Sequence, residues 1–115
     1  MIYYQGDDIN FSIDIKQVID GETQSWSAYK SVIVYLYTHS FNIAKFKNAK
    51  EAGYTELVLS SDNTKYHAKL APDQTRTMVG ALMMSIRLID QNGDVSTKDS
   101  YTGIKIVPTP IKHEQ

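Results

Sequence analysis

Three histidines, two short acidic clusters and a scatter of serines are the residues in this chain with chemical potential. His39, His67 and His113 lie far apart in sequence. A zinc site needs its nitrogen ligands to converge with a carboxylate, and no two histidines sit at ligand spacing within one element. Asp90-Gln91-Asn92-Gly93-Asp94 has the flavour of a calcium loop. The helix-loop-helix calcium pattern, however, puts glycine sixth and glutamate twelfth, whereas here Gly93 is fourth and Tyr101 twelfth. A turn is the better reading, with Asn92 and Gly93 both tolerant of positive φ. Asp7 and Asp8 are adjacent, and adjacent side chains of an extended segment point apart, which makes a paired acid-base unfavourable. No Gly-x-Ser-x-Gly elbow and no glycine-rich phosphate loop occurs. Cysteine is absent, so thiol nucleophiles, Cys-ligated zinc and disulfides are excluded. The expectation is no catalytic residue, no metal site and no cofactor.

The elements that would carry such residues are strands. Ile9, Phe11, Ile13 and Ile15 alternate with Asn10, Ser12, Asp14 and Lys16, a period of two with one wet face. Residues Lys30 to Ser40 form a second strand, rich in β-branched and aromatic side chains and apolar on both faces, as suits a central position. Phe41 to Gly53 fits either a strand followed by a loop or a short helical turn, and the strand followed by a loop is the favoured reading. Glu56 to Ser60 and Lys65 to Leu70 are strands joined by a turn at Ser61 to Thr64. Pro72 ends that ladder, because it has no N–H to donate, and starts a single helical turn. From Gly80 onward a long buried strand carries Leu82, Met84, Ile86 and Leu88 on one face. After the Asp90 turn come a short strand and a closing strand with Ile104 and Ile106.

Short strands with frequent turns and no long amphipathic helix predict a single all-β domain over residues 1–115, a sandwich of about seven to nine strands. The 115 residues suffice for one core without a metal or disulfide. A chain that opens on Met1 and is filled with strands is expected to be a complete small protein. Its expected core is Phe11, Ile13, Val34, Leu36, Leu57, Leu59, Leu82, Met84, Ile86, Leu88, Ile104 and Ile106. Charge is balanced, with 12 basic against 13 acidic residues, which argues against a nucleic-acid partner. The longest apolar run, Val32 to Leu36, is too short for a membrane span, and Met1 to Asp8 has no signal-peptide pattern.

Two segments carry a family likeness. Tyr4-Gln5-Gly6-Asp7-Asp8-Ile9-Asn10-Phe11 resembles the opening strand of the immunoglobulin-like N-terminal domain of phage baseplate upper proteins. Leu70 to Val107 resembles the second half of that domain. It has threonines at 75 and 77, Gly80, the apolar strand Leu82 to Leu88, the Asp90 to Gly93 turn and the ending Ile104-Lys105-Ile106-Val107. The likeness covers about half of the chain and does not extend to the middle. It implies an immunoglobulin-like antiparallel β-sandwich, a place in the virion after synthesis in the host cytoplasm, and non-enzymatic work through contacts with other virion proteins. The expected role is a baseplate or tail building block, an adaptor or a capsid decoration protein. The chain would act as a homo-oligomer or within a larger assembly. The family has no catalytic residues, and none is transferred.

The alternative is a small glycan-binding or adhesion module, which the eight tyrosines and Trp26 would serve as stacking platforms. For the protein-contact reading, strand alternation gives a concrete surface. If Val32, Val34 and Leu36 face the core, then Ile33, Tyr35 and Tyr37 face outward, together with Met83, Arg87 and Ile89 of the later strand. These residue types are common at interface cores. A loop of the same chain, Phe41 to Gly53, is the competing cover for that face.

Overall fold

The computed structural model describes residues 1–14, 26, 29–39 and 43–109. Among the described residues, nine strands and one helical turn occur in the order β1 (Ile2–Tyr4), β2 (Ile9–Asp14), β3 (Tyr29–Tyr37), β4 (Ile43–Lys47), β5 (Thr55–Glu56), β6 (Val58–Leu59), β7 (Lys65–Leu70), α1 (Pro72–Thr75), β8 (Gly80–Asp90) and β9 (Val95–Val107). They form a six-stranded sheet, β1-β9-β8-β3-β4-β5, and a three-stranded sheet, β2-β7-β6. The two layers enclose one core in a sandwich-like arrangement.

The pairing is mostly antiparallel, but not throughout. β1 runs parallel to β9, and β5 runs parallel to β4. The reason for the second is the loop after Lys47. It brings the chain back beside β4 in the same direction, and the strand then changes sheets at Leu57. The expected strand Glu56 to Ser60 is therefore two short ones: β5 completes the large sheet and β6 pairs with β7 in the small one. The expected short and closing strands are likewise one continuous strand, β9, with an irregularity where it passes Ala81 and Met83. Ile15, at the end of the first alternation, and His113 lie outside the described residues.

All twelve residues of the expected core face the interior. Ile13, Val34, Leu36, Leu57, Leu82, Ile86, Leu88 and Ile106 are buried, and Phe11, Leu59, Met84 and Ile104 are partly buried against them. The interior also takes in Ile9, Trp26, Val32, Ala44, Phe46, Tyr66, Leu70 and Met78. Phe11 meets Phe46 edge to face at 5.2 Å between the two layers, a favoured aromatic geometry. Trp26 lies 5.3 Å from Tyr66 and donates its indole N–H to the Thr64 carbonyl at 2.8 Å.

Local chemistry sets the corners. Asp90 Oδ1 accepts the N–H groups of Asn92 (2.8 Å) and Asp94 (3.0 Å), and Gly93 takes a positive φ of 87°. At α1, Pro72 occupies the first turn and Gln74 reaches back to the Ala71 N–H at 2.9 Å.

Candidate functional site

The outer face of the six-stranded sheet is built by strand register. On β3 the even residues Val32, Val34 and Leu36 are buried in the core, which turns Tyr35 and Tyr37 outward. Pairing then places side chains in rows across the strands. One row runs Ile43, Tyr37, Met83, Tyr101 over β4, β3, β8 and β9. The next runs Lys45, Tyr35, Ser85, Asp99, and the third Lys47, Ile33, Arg87, Thr97. Ser31, Ile89 and Val95 form a fourth.

The first row is the apolar one. Its ends, Ile43 and Tyr101, are each 55% exposed, while Tyr37 and Met83 between them are half-buried. Below it a depression of about 490 Å³ is lined by Tyr35, Tyr37, Thr38, His39, Ile43 and Ser85. On β1, Tyr3 packs against the core, so Ile2 (62% exposed) and Tyr4 (44%) point to the outer side at the far edge of the sheet. Single exposed apolar residues are ordinary, but a row continuous over four strands is the mark of a covered surface.

All six residues expected on this face are on it by register, though not equally. Tyr35, Tyr37 and Met83 come together around the depression. Ile33 is 8% exposed, so it is already buried within the chain. Its direct neighbours are Lys47 and Arg87, and long stems of this kind shade apolar surface between them. Arg87 is exposed, and Ile89 lies half-buried one row beyond. Ile43 and Tyr101 were not anticipated. Tyr101 sits between Ser100 and Thr102 in sequence, and only the pairing with Tyr37 and Met83 draws Ile43 and Tyr101 into one row.

The same chain caps one corner of the face. After β4, Lys47 Nζ pairs with Glu51 at 2.6 Å and stands 5.7 Å from the centre of the Tyr54 ring. Tyr54 in turn hydrogen-bonds Tyr35. Burial, followed by that hydrogen bond, raises the Tyr35 phenol above its usual range. The Lys47 ammonium is raised mainly by its bond to Glu51. The cap thus covers the Lys47 and Tyr35 corner and leaves the row from Ile43 to Tyr101 open.

Elsewhere the chemistry stays dispersed. His39 leans on Gly80 at the large sheet, whereas His67 is exposed on the small one. Among the described residues no three His, Cys, Asp or Glu side chains gather as metal ligands. Trp26 is fully buried and Tyr66 nearly so, which removes them as sugar-stacking platforms. A second depression of about 680 Å³ lies across the small sheet, lined by Asn10, Val58, His67, Ala68, Lys69 and Asp73 among others. No helix among the described residues is long and apolar enough to cross a membrane.

No protein-family model matches this chain, and no curated protein aligns with it.

Proposed function

We propose that this protein is a non-enzymatic structural component of a bacteriophage particle, an immunoglobulin-like sandwich that works through protein contacts on the outer face of its larger sheet. The observation that carries the reading is the row Ile43, Tyr37, Met83 and Tyr101, an apolar and aromatic strip open across four strands. Side chains of these types supply the anchors of docking surfaces, because they bury large areas with few rotatable bonds.

Two further features support it. In the immunoglobulin-type arrangement a B-E-D sheet faces a sheet with G, F and C neighbours. Here β2-β7-β6 and β9-β8-β3 have that order, with β4 beside β3 in the place of an added C′ strand. The two segments that resemble the baseplate domain are also neighbours in space. β1 pairs with the end of β9, Ile9 of β2 opposes Leu70 of β7, and Gly6 binds Thr75.

Mass spectrometry of purified phage particles from a source carrying this sequence tests the assignment. The chain should appear at a fixed copy number relative to the major virion proteins. Its absence from particles, together with retention on a glycan array, would replace this reading with the adhesion module.

A further inference from the structure

We propose that the outer face of the six-stranded sheet closes on the same face of a second copy, about a twofold axis running along the strands between β3 and β8. This rests on the docking face just described and names its occupant.

The argument comes from the register. A twofold axis in that position lays β3 over β8 of the second copy, and β4 over its β9. Every row is then read against its own reverse. In the first row, Ile43 meets Tyr101 of the second copy and Tyr37 meets its Met83, so the apolar strip covers itself along its whole length. In the second row, Lys45 meets Asp99 of the second copy, and by symmetry Asp99 meets its Lys45. Neither Lys45 nor Asp99 is ion-paired within the chain among the described residues, and both are exposed. The face is thus charge-complementary to itself at two symmetric points. Isologous interfaces require this, since one patch must serve both partners.

Two twisted sheets stack with strand directions within about 30° and about 10 Å apart, which an axis along the strands allows. Four facing strands about 4.8 Å apart, β3 and β8 about nine residues deep and the β4–β9 overlap limited to the five residues of β4, at about 3.3 Å each, give a footprint on the order of 450 Å² per copy, the size of a reversible contact.

The test is a charge swap read by sedimentation equilibrium on the full chain. The wild type should be a dimer at micromolar concentration. Lys45→Glu and Asp99→Lys should each weaken the dimer about tenfold or more, because each creates two like-charge contacts. The combined variant should return to within about threefold of wild type, since it exchanges the two signs. Both positions are exposed, so circular dichroism should show all three variants folded. A wild type that stays monomeric at every concentration overturns the proposal, as does a dimer whose swap gives no rescue. A monomer that still enters phage particles would sink the dimer and leave the proposed function standing. A rescued dimer absent from particles would do the reverse.

Discussion

The hydroxyl of Thr75 donates to the Asp7 carbonyl at 2.8 Å and accepts the Gly6 N–H at 3.1 Å, tying α1 to the loop between β1 and β2 across 68 residues of chain. Thr75 is fully buried, so this small polar group holds two backbone partners out of water. It fixes how the chain leaves β1 in the large sheet for β2 in the small one, and hence how β1 is held along the edge beside β9.

Thr75→Val keeps the shape and removes the hydroxyl. Leaving the Gly6 N–H and Asp7 carbonyl without this partner should cost about 1–3 kcal/mol in urea unfolding. Thr75→Ser should cost clearly less, because it keeps both hydrogen bonds. Equal losses in the two variants would mean that the methyl group, and not the hydroxyl, is what matters here.

A second prediction concerns Gly80, where β8 begins. Its φ is +107°, and an added Cβ would lie 2.6 Å from His39 Cε1. Gly80→Ala should therefore destabilise by about 1–3 kcal/mol, from backbone strain together with displacement of the imidazole. His39 is exposed at a strand end and can swing away, so His39→Ala in the Gly80→Ala background should recover only the smaller part. Full recovery would assign the whole cost to the side-chain clash.

The parts of this fold written in local pattern were legible from the residues alone. Lys65 to Leu70 alternates cleanly and stops at Pro72, and the structure places β7 and α1 on those residues. The Asp90 to Asp94 turn is local chemistry and reads directly. What escaped depends on distant partners. β5 and β6 are two residues each, shorter than any period, and only the switch between sheets at Leu57 defines them. β1 needs β9 to be recognised as a parallel strand. Tyr101 sits between Ser100 and Thr102 in a stretch that reads as polar, and it joins the docking face only because β9 passes Met83 with an irregular register. Ile33 follows the alternation correctly yet is shaded by Lys47 and Arg87, which sequence spacing cannot show.

The pH response of the turn before β7 follows from Asp62. Its carboxylate accepts hydrogen bonds from Ser60 Oγ, Thr64 Oγ1 and the Thr64 N–H, which lower its pKa from 3.8 to about 2. A folded value below the unfolded one means that the charged form supports the fold. The contribution is complete above about 3.8 and disappears as pH falls through about 2. Carboxyl NMR should therefore show Asp62 titrating well below the ordinary range of an aspartate. Asp62→Asn should lower stability at pH 6 and lose that deficit near pH 2. A deficit unchanged across this range would place the effect in the amide itself and not in the lost charge.

The last prediction separates docking from folding on the large sheet. Tyr35 is poorly suited to the purpose, because it also holds Tyr54, and its removal would loosen the cap over Lys47. Tyr37 and Tyr101 flank Met83 in the open row, and Tyr101 is 55% exposed. Replacing both with alanine removes aromatic area that is exposed at Tyr101 and only half-buried at Tyr37 in the isolated chain. Substitutions of that kind cost little stability, so the melting temperature should move by less than about 4 °C. Docking should suffer far more, since truncating anchor aromatics at an interface costs about 2 kcal/mol or more each. The variant should therefore be folded yet fail to co-purify with its partner at concentrations where the wild type does. Val58→Ala, which removes an exposed residue of the small sheet, serves as the control and should leave docking intact. If Tyr37→Ala with Tyr101→Ala binds as the wild type does while Val58→Ala fails, the working face is the three-stranded sheet.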